Sequence, residues 1–160
     1  MLDTFNAAVA DFDQFRLDEG AVLQKDLKAR IETILSLMEF VVKDETLRIP
    51  VIKEKINNLL ADAVGKENVD NNRLEQELIY YIDKLDITEE KVRLKSHCDY
   101  FLEILKNKDA NGKKLGFISQ EIGREINTMG SKANDANIQR YVVGMKEELE
   151  KIKEQLLNVL

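Results

Sequence analysis

Two glutamates, Glu121 and Glu125, stand four residues apart in a stretch with helical apolar spacing. At about 100° per residue, that separation puts both carboxylates on one face, one turn apart. Like charges at this spacing repel mildly, so the pair asks for compensation by nearby cations or a divalent metal. Hard carboxylate oxygens suit magnesium or manganese, which in such a place activates water or neutralises phosphoryl charge during phosphodiester cleavage. An ion-pair network to Arg124, Lys114 or a neighbouring helix explains the same carboxylates without any metal. His97, the single histidine, lies between Leu94 and Phe101 at the edge of an apolar stripe. It reads either as a general acid or base, with Arg93 assisting on phosphate, or as a half-buried, hydrogen-bonded histidine. No glycine-rich phosphate loop, paired CxxC or HExxH occurs, and the lone Cys98 excludes an internal disulfide framework.

The charge around these residues differs from the average. The 160-residue chain has a net charge of -6, which by itself argues against a polyanionic partner. Between Lys91 and Lys146, however, eleven Lys/Arg face six Asp/Glu, while the remainder holds thirteen against twenty-four. Arg93, Lys95, Lys106, Lys108, Lys113, Lys114, Arg124, Lys132 and Arg140 could neutralise phosphates if folded onto one surface. A solvated helix face is the alternative. Aromatic interleaving is thin, with Tyr100, Phe101, Phe117 and Tyr141 alone and Phe101 assigned to the core. Backbone-phosphate contact is therefore expected rather than base stacking.

Helices must position these groups. With 44% hydrophobic residues, seven glycines and one proline, the chain reads as all-α, a multi-helix bundle with long helices. Leu23, Leu27, Ile31, Ile34, Met38 and Val42 line one face of a first helix, with Leu2, Phe5, Val9 and Phe12 extending the step upstream. That helix is expected to end near Lys43-Asp44-Glu45, and Pro50 to open a second one running to Gly65. Asp70-Asn71-Asn72 opens a third, and Asp86 with Glu89 fits the cap of a fourth carrying Leu94, Cys98, Phe101 and Leu105. The fifth presents Leu115, Ile118, Ile122, Ile126 and Met129 and is expected to stop at Gly130-Ser131, leaving Lys132 beyond its end. Gly116, Gly123 and Gly130, seven residues apart, share the face opposite the Glu121–Glu125 strip. In a helix each costs about 1 kcal/mol relative to alanine, which points to close approach of another helix. Finally Ile138, Val142, Met145, Leu149, Ile152, Leu156 and Val159 form a heptad seam that wants a partner, in a helical hairpin or bundle or in an intermolecular coiled coil. No apolar run approaches a membrane span and no secretory leader is evident, so a cytoplasmic address without membrane contact is the default.

Two blocks carry a resemblance. The run Leu85-Asp86-Ile87-Thr88-Glu89-Glu90-Lys91-Val92-Arg93-Leu94-Lys95-Ser96-His97 and the longer stretch from Gly112 to Asp135, which follows a GKKLDF..QE..RE.NT.GSKA.D pattern, resemble the C-terminal half of the YicC/YloC endoribonucleases. Arg16, Glu19 and Gly20 fit the family's R..EG helix entry, and Lys146 to Gln155 fit its closing K.ELEKI.EQ. Gly116 stands where the family has Asp, Gly123 where Asn is frequent, and Gln155 to Leu160 replace a QVQNIE-like end. Family members carry an N-terminal α+β half with no counterpart here, so the chain is expected to be a piece of a longer protein. Residues 1–70 would be a helical linker and hairpin continuing from that half, and 71–160 the helical domain bearing the motifs. The resemblance implies a metal-dependent endoribonuclease, active in RNA turnover or a stress response, with manganese or magnesium as cofactor. It also implies a ring-like homo-oligomer enclosing RNA. The positions it carries over are His97, Glu121, Arg124, Glu125, Asn127, Ser131 and Lys132. Together with the charge pattern this gives His97, Glu121 and Glu125 as catalytic, the two glutamates also as metal ligands, and Arg93, Lys95, Lys113, Lys114, Arg124, Asn127, Ser131 and Lys132 as RNA contacts. The alternative from another class is a non-catalytic helical oligomerisation or RNA-clamping module.

Overall fold

The computed structural model describes residues 2–64, 71–107, 112–133 and 135–157, and among these every regular element is an α-helix. Five helices follow in order: α1 (Leu2–Val64), α2 (Asn71–Leu85), α3 (Thr88–Lys106), α4 (Gly112–Lys132) and α5 (Ala136–Leu156).

The expected break near Lys43-Asp44-Glu45 does not occur, and α1 runs as one helix of 63 residues with Pro50 inside it. A cluster of charges is no helix breaker. Val41 and Arg48 are both buried on the same side and hold one helical phase across the cluster. Pro50 withdraws one backbone donor, and the helix continues through it where the burial against the bundle ends. One turn earlier the Thr46 hydroxyl donates to the carbonyls of Val42 (3.2 Å) and Lys43 (2.7 Å). The apolar face also differs by one position from the expected one. Leu27, Ile31, Ile34, Met38 and Val41 alternate steps of four and three and are buried, whereas Val42 is exposed.

The same alternation recurs in α5, where Ile138, Val142, Met145, Leu149, Ile152 and Leu156 are buried. The heptad seam therefore finds its partners within the chain, on α1 and α4. Val159 lies outside the described residues. Helices α1, α5, α4 and α3 touch in a closed cycle. Each neighbouring pair is antiparallel. Arg30 meets Glu148 and Phe40 stacks on Tyr141. Gly123 faces Leu149 and Gly130 faces Val142. Glu90 meets Lys132, Lys114 covers Tyr100, Gln24 donates to the Leu105 carbonyl, and Glu45 pairs with Lys91. This is an up-down four-helix bundle whose single core runs from Leu27 to Leu156.

Two of the three aligned glycines serve close approach. A Cβ on Gly130 would sit 2.9 Å from Val142 Cγ1, and one on Gly123 would sit 3.1 Å from Leu149 Cδ2. Gly116 does not fit that expectation, since nothing lies within 4 Å of the position its Cβ would take. Gly144 does the same work on α5, 3.1 Å from Leu37 Cδ1 of α1. Beyond the bundle, residues 9–22 of α1 are exposed on every side. At the other end the half-buried Leu74, Leu78 and Ile82 belong to α2, which packs on α1.

Candidate functional site

The α3–α4 pair positions most of the candidate residues. Its register is fixed at two points, the Lys132 to Glu90 ion pair at 2.8 Å and the Lys114 ammonium 5.1 Å from the Tyr100 ring centroid. Counted antiparallel, His97 falls opposite Glu125 from the first contact and opposite Phe117 from the second, so it lies beside the stretch between them. On α4, Lys114, Glu121, Glu125 and Lys132 fall within one narrow strip, and that strip faces α3. The structure thus lines up His97, Glu121, Glu125, Lys114 and Lys132 along a single seam.

Within it the two carboxylates differ. Glu121 is half-buried and lies 3.2 Å from the Arg124 guanidinium, one turn on. Glu125 is only 8% exposed, and among the described residues no hydrogen bond or ion pair reaches its carboxylate. Its oxygens are not among the buried side-chain atoms left without a partner, so water reaches the carboxylate at the edge of the seam, where a ligand could also meet it. His97 is half-buried, as the alternative reading expects, with no hydrogen-bond partner among the described residues.

Lys132 departs from expectation. It is the last residue of α4 rather than a residue beyond it, because the helix continues through Gly130 and Ser131. Gln139 helps finish that end by donating to the carbonyls of Gly130 (2.5 Å) and Ala133 (2.7 Å). The Glu90 hydrogen bond raises the Lys132 pKa, opposed by partial burial and aided by the charges of Glu90, Asp86 and Glu89. Arg48 of α1 donates to the Lys132 carbonyl at 3.3 Å. At this corner Glu90 Oε2 and Arg48 Nε are buried with no partner among the described residues. Lys132 is therefore tied into a junction of α1, α3 and α4. Sequence reading did not single out Glu90, although an acid on the stripe one turn before Leu94 is a signal that a cation must meet it.

Asp86 precedes rather than occupies the cap position of α3, which is Ile87. Its carboxylate still accepts from the Thr88 amide (2.9 Å) and hydroxyl (2.6 Å), and those two bonds hold its pKa below the usual carboxylate range. Glu89 does not close a capping box; it pairs with Arg93 one turn on.

The other cations scatter. Lys113, Arg124, Asn127 and Ser131 lie on the outer side of α4, where the Ser131 hydroxyl donates to the Thr128 carbonyl at 2.8 Å. Lys95 is separated from the seam, because it shares a row with Lys91, which pairs with Glu45 of α1, and it bonds Asp99 at 2.9 Å. Lys108 lies outside the described residues. Cys98 is buried in the core, and burial pushes its thiol up to about 12, which leaves it protonated and unreactive at neutral pH. Among the described residues no three His, Cys, Asp or Glu side chains converge as a metal site, and no helix is long and apolar enough to cross a membrane.

Fold and site together define an all-helical bundle domain whose α3–α4 seam concentrates polar and ionisable groups. Residues 41–160 match the family described as Endoribonuclease YicC-like, C-terminal, and the chain belongs to that family. It is 38% identical over 159 residues to a protein of Clostridioides difficile named probable endoribonuclease YicC, covering 96% of this chain and 54% of that protein. A Haemophilus influenzae protein of the same name is 32% identical, covering 99% of this chain and 55% of its own length. The chain spans about half the length of these curated relatives.

Proposed function

We propose that this chain is the helical part of an endoribonuclease and that the α3–α4 seam is where it meets the scissile phosphodiester. The observation that carries this reading is Glu125, a largely buried acidic residue whose carboxylate has no side-chain partner among the described residues, on the seam that half-buried His97 also borders. The relatives' names supply the reaction class. In this reading Glu125 and His97 move protons at the attacking and leaving oxygens, while Lys114 and Arg124 face the phosphate. Arg93, Lys95, Lys113, Asn127 and Ser131 would contact the backbone further out. Lys132 contributes through its place at the helix junction, with its ammonium shared with Glu90.

A magnesium or manganese ion fits the donor set in one respect. Such ions are commonly held by one or two carboxylates together with phosphate oxygens, and Glu121 and Glu125 offer two on successive turns. When bound, the cation would supply charge neutralisation at the phosphoryl oxygens. A homo-oligomer is supported by the exposed apolar residues Val9, Phe12, Phe15 and Val22 on α1.

The test is Glu125→Gln, followed by cleavage of a labelled structured RNA with and without manganese. Loss of at least a hundredfold in rate, with the fold intact by circular dichroism, is expected; wild-type turnover would remove Glu125 from the mechanism. The second reading, a helical RNA clamp or assembly module without a catalytic centre, is favoured by the exposed apolar residues Val9, Phe12, Phe15 and Val22, which suit a protein contact. It requires RNA to be bound, or the chain to self-associate, without cutting.

A further inference from the structure

Six of the ten aromatic rings of this protein are sorted by what surrounds them. Phe40 stacks on Tyr141 at 5.5 Å, and Tyr80 and Tyr81 meet edge to face at 6.0 Å. Phe117 and Tyr100 are different. Phe117 is 63% exposed, and Tyr100 is 40% exposed with the Lys114 ammonium over its ring. Phe117 follows Lys114 by three residues and precedes Glu121 by four, so its ring borders the seam on the α4 side as Tyr100 does on the α3 side.

An exposed phenylalanine adds little to the bundle, since most of its face stays in water. Its setting does indicate a ligand. On α4 itself, Lys113 and Lys114 one turn before Phe117 and Arg124 two turns after it stand against Glu121. Phe12 and Phe15 on α1 are as exposed, but Asp11, Asp13, Asp18 and Glu19 outweigh the Arg16 guanidinium over the Phe12 ring, a setting that repels polyanions. Flat π faces beside lysines are what a nucleobase and its phosphate occupy together on single-strand binding proteins. Bases within a duplex are stacked on one another and cannot take such a place.

Resting on the RNA reading above, we propose that Phe117 and Tyr100 form a base-stacking platform beside the α3–α4 seam, which selects unpaired RNA over duplex RNA. This departs from the expectation of phosphate contact alone. A base held on these rings would bring its own phosphate toward the Glu121–Glu125 turn, so the platform positions substrate.

The experiment measures anisotropy of a fluorescein-labelled twelve-nucleotide single-stranded RNA and of a twelve-base-pair RNA duplex, without divalent metal, on the wild-type chain and on Phe117→Ala, Phe117→Leu, Tyr100→Ala and Phe15→Ala. The wild type is expected to bind the single strand at least tenfold more tightly than the duplex. Phe117→Ala and Phe117→Leu should each lose about tenfold on the single strand, Tyr100→Ala at least threefold, and Phe15→Ala nothing, with duplex binding unchanged throughout. Full retention by Phe117→Leu overturns stacking, because leucine keeps apolar contact without a π face. Equal losses on both RNAs, or no losses, overturn the platform while leaving the RNA reading standing. A wild type that binds neither RNA overturns both. A change in mass by light scattering in Phe117→Ala, without a change in RNA affinity, assigns the face to a protein contact and overturns the proposal.

Discussion

Helix α4 has two long sides that obey different rules. Toward α5 it is apolar and close-packed, with Ile126 and Met129 fully buried and Gly123 and Gly130 drawing the backbones together. Toward α3 it carries Lys114, Glu121, Glu125 and Lys132, including a nearly buried carboxylate with no partner among the described residues. The first side holds the bundle together by burial, and the second is joined through the Lys132–Glu90 ion pair and the Lys114 contact with Tyr100. Glu125 takes part in neither contact, so its replacement probes function more than folding.

Mutations should separate the two sides. The largest expected effect is on the apolar side: Ile126→Ala should cost about 3 kcal/mol through lost burial and a cavity, read as a lower urea midpoint. RNA affinity of the remaining folded fraction should stay the same. Glu125→Leu should do the reverse, raising the midpoint by up to about 1 kcal/mol while cleavage is lost; a destabilised Glu125→Leu would mean that the carboxylate is structurally satisfied. Next in size is a pair of glycines fourteen residues apart. Gly130→Ala should lower thermal stability by about 1–2 kcal/mol because its Cβ meets Val142 at 2.9 Å, whereas Gly116→Ala should raise it by up to about 1 kcal/mol. If Gly116→Ala destabilises, something covers that position.

The smallest effects are acidic. Asp86 and Glu148 both have pKa values held below their usual range, Asp86 by the Thr88 bonds and Glu148 by Lys151 and then Arg30. A carboxylate lowered in the folded state contributes stability above its unfolded pKa of about 4 and loses it as pH falls through the folded value. Asp86→Asn should therefore cost about 0.5–1 kcal/mol at pH 7 and nothing at pH 2, measured by thermal melts across that range.

Much of this was legible in the sequence because helical period survives without tertiary information. The α5 stripe from Ile138 to Leu156, the α4 stripe from Leu115 to Met129 and the common strip of Glu121 and Glu125 follow from spacing alone. What periodicity cannot give is which helix faces which. The burial of Glu125, the tie between Glu90 and Lys132 and the separation of Lys95 depend on the α3–α4 register, which only the folded chain sets. The continuity of α1 failed to show for another reason: charge clusters and Pro50 are weak stop signals when Val41 and Arg48 are both held by neighbours. Gly144 went unnoticed because a single glycine in a helix gives no sign of the Leu37 side chain that will lie against it.

The closed cycle of helices also sets an order in time. The α3–α4 hairpin joins neighbours in sequence, but the Arg30 and Glu148 ion pair that staples α1 to α5 spans 118 residues. At a synthesis rate of about 5–20 residues per second, the face from Leu27 to Val41 waits on the order of ten seconds for its partner to be made. During that interval α3, which also packs on α1, is already made, so the part of the α1 stripe left uncovered is the side that will face α5.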